Sequence, residues 1–83
     1  MHYRPIVDYN PVRAKFMVAL EDGSHAVFTL KSYAPIKKGM GVEGMLAKRG
    51  PITLTLDNRQ HFEAFGDTGP TNSGTCRQLV WPA

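Results

Sequence analysis

An Asp-Gly pair at positions 22 and 23 separates two runs in which apolar residues recur at every second position, Arg13 to Leu20 and Ser24 to Lys31. Alternation of that kind has the period of a strand, and Asp-Gly between two such runs signals a β-hairpin. The register depends on how many residues the turn takes. A two-residue turn sets Leu20 opposite His25 and places Phe16, Val18 and Leu20 on one face with His25, Val27 and Thr29. A three-residue loop, Glu21-Asp22-Gly23, sets Leu20 opposite Ser24, Val18 opposite Ala26, Phe16 opposite Phe28 and Ala14 opposite Leu30. The second arrangement gathers Ala14, Phe16, Val18, Leu20, Ala26, Phe28 and Leu30 on one side. A slip of one residue exchanges the two faces, so this segregation selects the three-residue loop. Gly23 then takes the left-handed conformation that glycine adopts without strain. The opposite face, with Lys15, Met17, Ala19, His25, Val27 and Thr29, sets Met17 against Val27 and calls for partial cover as well.

Elsewhere the strongest alternation is Ile52-Thr-Leu-Thr-Leu-Asp57, with Ile52, Leu54 and Leu56 facing one way. Asn58-Arg59 reads as a turn and Gln60 to Phe65 as the return strand. Phe62 and Ala64 share one face of it; His61, Glu63 and Phe65 share the other. Tyr3 to Tyr9 reads as a first strand around Ile6 and Val7, with Pro5 at an edge or start and Asn10-Pro11 as the following turn. Glycines at 39, 41 and 44 argue against a helix, so Gly41 to Ala47 reads as a bent strand, its glycines marking bulges or corners. Lys48-Arg-Gly-Pro51 reads as a tight turn. Ser32 to Gly39 reads as a loop, with one helical turn starting near Pro35 as an option.

Gly66 to Thr75 holds three glycines and a proline and no large apolar residue, the composition of a mobile loop. Cys76 to Trp81 reads as a last strand pairing back on the body, or as a tail that adds a strand to a partner. Five or six short strands with frequent turns and no convincing helix predict an all-β fold. The expected form is a small five- to six-stranded antiparallel barrel, OB-like or SH3-like. At 83 residues the chain is one domain. Its parts are a β-barrel body over 1–65, a flexible Gly/Thr/Ser loop over 66–75, and a terminal strand or tail over 76–83.

The single Cys76 cannot staple the chain internally and fits a reducing compartment. Met1-His-Tyr-Arg-Pro5 is no signal segment, and no apolar run is long enough for a membrane span. The expected location is the cytoplasm, with no membrane contact. His2, His25, His61 and Cys76 are donors of the right type for a metal, but no two lie within four residues of each other. That spacing offers no finger-like or ribbon-like ligand pair, and no metal site is expected. Cys76 beside a loose loop reads as an inert thiol. Gly39-Met-Gly-Val-Glu-Gly44 echoes a dinucleotide fingerprint but lacks the helix that motif requires. No catalytic set and no cofactor site emerge, and the expectation is a binding module rather than an enzyme.

Ten Lys and Arg stand against seven Asp and Glu, a formal charge of +3. The distribution says more than the total. No acid occurs between Asp22 and Glu43, where Lys31, Lys37 and Lys38 fall, or between Glu43 and Asp57, where Lys48 and Arg49 fall. Such cations suit solvated loops; gathered on one rim, they suit a polyanion. The expected site is Lys31, Tyr33, Lys37, Lys38, Lys48, Arg49 and Arg59, with Phe65 or Phe62 as a stacking surface for single-stranded nucleic acid. The alternative is a protein-interaction or inhibitor module. It would use Met17, Val27, Met40, Met45 and Trp81 as an adaptable apolar patch, with a homodimer covering the second hairpin face.

Overall fold

In a computed structural model describing residues 3–82, the hairpin register is that of the three-residue loop. Strand β2 (Lys15–Ala19) pairs with β3 (His25–Leu30), Phe16 opposite Phe28, Met17 opposite Val27 and Val18 opposite Ala26. Gly23 has φ of 87°, and the Leu20 N–H donates to the Ser24 carbonyl at 2.8 Å. The Asp22 carboxylate accepts both the hydroxyl and the N–H of Ser24. Those two bonds hold its carboxyl below the ordinary carboxylate range.

Around this hairpin lie β1 (Arg4–Asn10), β4 (Gly41–Glu43), β5 (Gly50–Leu56) and β6 (His61–Gly66), with helix α1 (Ser73–Val80) after them. The strands close into a barrel in the order β1-β2-β3-β6-β5-β4, every neighbouring pair antiparallel. The chain thus makes one meander, β1 to β3, then a second, β4 to β6, joined by the β3–β6 and β4–β1 seams. Alternation decides what is inside: Ile6, Phe16, Val18, Ala26, Phe28, Val42, Leu54, Leu56, Phe62 and Ala64 are all buried in one cluster. Phe16 stacks on Phe28 at 5.4 Å between ring centroids and tilts against Phe62 at 6.1 Å. Each such side chain contributes roughly 1.5–3 kcal/mol by leaving water.

Three connections differ from the sequence expectation. β4 stops at Glu43 rather than running to Ala47. At Gly44 φ is +150° and a Cβ would sit 2.6 Å from Leu54 Cδ2, so the chain bends away from the sheet there. The turn falls at Leu46-Ala47, and Gly50-Pro51, expected within a turn, already belong to β5. No helical turn forms near Pro35. Ala34 and Ile36 plug the core directly, at 4% and 5% exposed.

The largest departure is at the end of the described chain, where the expected terminal strand is helix α1. Asn72 caps it, its side chain accepting the Thr75 N–H at 2.8 Å and so satisfying one of the orphan donors of the first turn. Cys76 and Val80, four residues apart and so on one helix face, pack on Met17, Val27 and Val7. The cover expected from a second copy on the outer hairpin face is therefore supplied by the chain itself. The segment before α1, expected to be flexible, is bonded along β3. The Asp67 N–H donates to the Val27 carbonyl at 2.9 Å, and His25 and Thr71 exchange N–H···O bonds of 2.8 and 2.7 Å. Among the described residues no helix is long and apolar enough to cross a membrane. His2 lies outside the described residues.

Candidate nucleic-acid interface

Phe65 occupies an outward position of β6, between Thr29 of β3 and Pro51 of β5. It remains 40% exposed, whereas Phe62, three residues earlier with inward parity, is 2% exposed and packs on Phe16. Only Phe65 of the two can therefore offer a ring face to a ligand. Lys31 holds its Nζ 5.9 Å from the Phe65 centroid, within the range of a cation–π contact. The Lys31 backbone is fixed beside β6 because the Glu63 carbonyl accepts the N–H groups of Lys31 and Ser32 at 2.9 and 3.3 Å. Glu63 itself takes the Thr53 hydroxyl at 2.6 Å.

Also on the β3 side of Phe65, Lys15 Nζ donates to the Thr29 hydroxyl and to Asp67, each at 2.8 Å. This is the one ion pair within 4.0 Å among the described residues, and both partners are about one-fifth exposed. Lys48 and Arg49 lie just before β5, whose Gly50 pairs with Gly66, and their backbone packs on the inward side of Gly66 rather than on the Phe65 face. Gly66 sits against the Lys48 carbonyl, and a Cβ on Gly69 would meet Arg49 Cγ at 3.2 Å, so the stem of Arg49 crosses Gly69.

The remaining expected site residues lie elsewhere. Arg59 is in the β5–β6 turn, with φ of 71°. The seven residues of β5 separate it from Arg49, about 20 Å at strand rise. Tyr33, 83% exposed, joins Arg59, since its carbonyl accepts Gln60 Nε2 at 3.3 Å. Lys37 and Lys38 belong to the stretch that runs beside β1, where the Gly39 N–H donates to the Ile6 carbonyl at 2.8 Å. In a six-stranded ring β1 and β6 are three strands apart either way round, so these two lysines stand on the wall opposite Phe65. The expected residues do not form a single rim. Lys31 stands beside Phe65; Lys48 and Arg49 pack against Gly66 and Gly69; Tyr33, in the β3–β4 connection, is bonded to Gln60 next to Arg59; Lys37 and Lys38 face away.

Lys15 and Thr29 were not among the expected contacts. Their outward parity, directly opposite one another in the hairpin register, is the signal that would have found them. The alternative apolar patch does not assemble: Met17 and Val27 are buried under α1, while Met45 and Trp81 are 69% and 50% exposed on other parts of the surface. Cys76 is a buried free thiol, and burial pushes its pKa up. Among the described residues no group of three His, Cys, Asp or Glu side chains is placed to hold a metal ion. No protein-family model, curated protein or solved structure matches this chain.

Proposed function

We propose that this chain is a non-enzymatic, cytoplasmic module that binds single-stranded nucleic acid across the outer face of β3, β6 and β5, centred on Phe65. The observation that carries this reading is the half-open Phe65 ring with Lys31 at 5.9 Å and with Thr29, bonded to Lys15, opposite it on β3. A flat aromatic face with cations beside it is what a base and its phosphates require, and it tolerates any base. A base stacking on Phe65 displaces the Lys31 ammonium sideways, where it meets the adjoining phosphate.

An OB-like reading of the barrel supports the same face. OB-like barrels bind strands across their second and third strands. In this chain α1 covers the Met17–Val27 part of that surface and leaves the Lys15–Thr29 end open beside Phe65. A net charge of only +3 implies modest affinity that falls as salt rises.

Fluorescence anisotropy of labelled oligo-dT and oligo-U at two salt concentrations tests the proposal. Expected is micromolar binding at low salt that weakens at high salt and weakens again in Phe65→Ala by the ~1–3 kcal/mol of one stacked base. Absence of binding at low salt, or equal binding by Phe65→Ala, overturns it.

A further inference from the structure

At the end of the barrel where the β2–β3 hairpin turns, a cleft of about 550 Å³ opens beside the Gly44–Ala47 bend. Its floor is apolar, formed by Leu46, which is buried, Leu20, which is half-buried, and Ala47 and Pro70 at the edges. Its rim is acidic: Glu21, Asp22 and Glu43 line it against the single cation Arg4, whose Nε is committed to the Ala19 carbonyl at 3.1 Å. That balance is the reverse of the molecule's overall positive charge.

The other acids of the chain are engaged by the protein itself. Asp8 accepts from the Tyr9 N–H, Asp57 from the Gly41 N–H, Glu63 from Thr53, Asp67 from Lys15 and Asp22 from Ser24. Among the described residues Glu21 and Glu43 have no hydrogen-bond or ion-pair partner, and they stand at the border of the one apolar floor at this end of the barrel.

We propose that this cleft docks an extended segment of a protein partner, one that carries an apolar side chain flanked by Arg or Lys. The apolar side chain takes the floor of Leu20, Leu46 and Pro70, and the flanking cations meet Glu21 and Glu43. Three features favour this occupant. The carboxylates repel phosphate, so the cleft is not an extension of the Phe65 face. Glu21, Asp22, Gly44, Ala47 and Pro70 are all exposed, so the cleft lies open along its length. A compact ligand would gain little enclosure there, whereas an extended chain lies along it. Charge complementarity of this kind sets partner choice and association rate.

The test is a titration of the ¹⁵N-labelled protein with the peptide Ac-RLVRL-NH2 and its acidic counterpart Ac-ELVEL-NH2. Expected are saturable shifts at the amides of Leu20, Gly44, Leu46 and Ala47 with the basic peptide alone. Affinity should fall at least tenfold in Glu21→Lys/Glu43→Lys. Glu21→Gln/Glu43→Gln, a milder change at the same two positions, should weaken binding in the same direction while the spectrum stays dispersed. Phe65→Ala should bind the peptide as the parent does, which separates this cleft from the nucleic-acid face. No saturable shift up to millimolar peptide, equal response to both peptides, shifts centred on Phe65, or a dimer mass showing the cleft filled by a second copy would each overturn the assignment.

Discussion

The side-chain amide of Asn10 donates to the carbonyl of Val80 at 2.7 Å, joining the last residue of β1 to the last residue of α1. Asn10 is only 5% exposed, and its Oδ1 also accepts the Val12 and Arg13 N–H groups at 3.1 and 3.4 Å. One side chain thus shapes the β1–β2 turn and latches the helix over the hairpin. Asn10→Ala should cost about 1–3 kcal/mol, since it strands a buried carbonyl. It should also speed modification of Cys76, which the latched helix hides. Urea denaturation and the rate of thiol labelling check the two effects.

The same thiol gives a pH dependence. Burial raises the Cys76 pKa in the folded chain above its unfolded value. Its contribution is therefore fully present below the ordinary thiol range and is lost as pH climbs through that range toward the folded pKa, because the unfolded chain releases the proton first. The stability advantage of the parent over Cys76→Ala should shrink above pH ~8.5. Thermal melts of both proteins from neutral to alkaline pH measure it.

Two glycines should respond differently to alanine. At Gly23 a Cβ would meet nothing within 4 Å, so Gly23→Ala carries only the backbone cost of its φ of +87°, about 1–2 kcal/mol. At Gly66 a Cβ would strike the Lys48 carbonyl and come within 3.2 Å of Arg49 Cα. Gly66→Ala must push that backbone aside, at about 3 kcal/mol, and shifts Lys48 and Arg49 with it. Paired thermal melts, with oligonucleotide binding measured on the Gly66 variant, test both statements.

For the nucleic-acid face, Phe65→Ala should weaken binding by the ~1–3 kcal/mol of one stacked base. Lys31→Ala should lower the slope of log affinity against log salt by about one unit. Lys37→Ala/Lys38→Ala, on the opposite wall, should leave the dissociation constant within about twofold, because charges beyond a Debye length of ~10 Å are screened. Anisotropy titrations across a salt series read all three.

In the proposed nucleic-acid complex, Asp67 would compete with phosphate for Lys15. Asp67→Asn should release the Lys15 ammonium from its 2.8 Å ion pair and tighten oligonucleotide binding several-fold. It should also cost about 1–3 kcal/mol of stability, the scale of charge-assisted hydrogen bonds in a mostly buried pair. A denaturation curve alongside the binding titration checks both.

The barrel was legible where one local rule left no alternative. Asp22-Gly23 with apolar parity on both arms fixed the Phe16–Phe28 and Val18–Ala26 pairs, and Ile52 to Leu56 announced a strand by strict alternation. The helix was not legible in that way. Ser73-Gly-Thr-Cys76 has poor helix formers, and α1 is held by tertiary contacts of Cys76 and Val80 rather than by propensity. Its signals were the Asn72 cap, the four-residue spacing of Cys76 and Val80, and the uncovered Met17–Val27 pair that needed a lid. The arrangement of the proposed face was not legible. Charge runs offered Lys and Arg as candidates, but only the strand order puts Lys31 beside Phe65 and Lys37 and Lys38 on the opposite wall. The acidic cleft escaped notice because Glu21, Glu43 and Pro70 lie far apart along the chain.

The two-meander order has a further consequence. Phe28–Leu30 meets Ala64–Gly66 across nearly half the sequence, while α1, at the far end, rests on strands of the first meander. A single backbone cut in the connection between Leu30 and Gly41 would leave two fragments, each an unfinished wall with a raw edge on either side. The fragments should reassemble when mixed, because each supplies the edges and the cover that the other lacks.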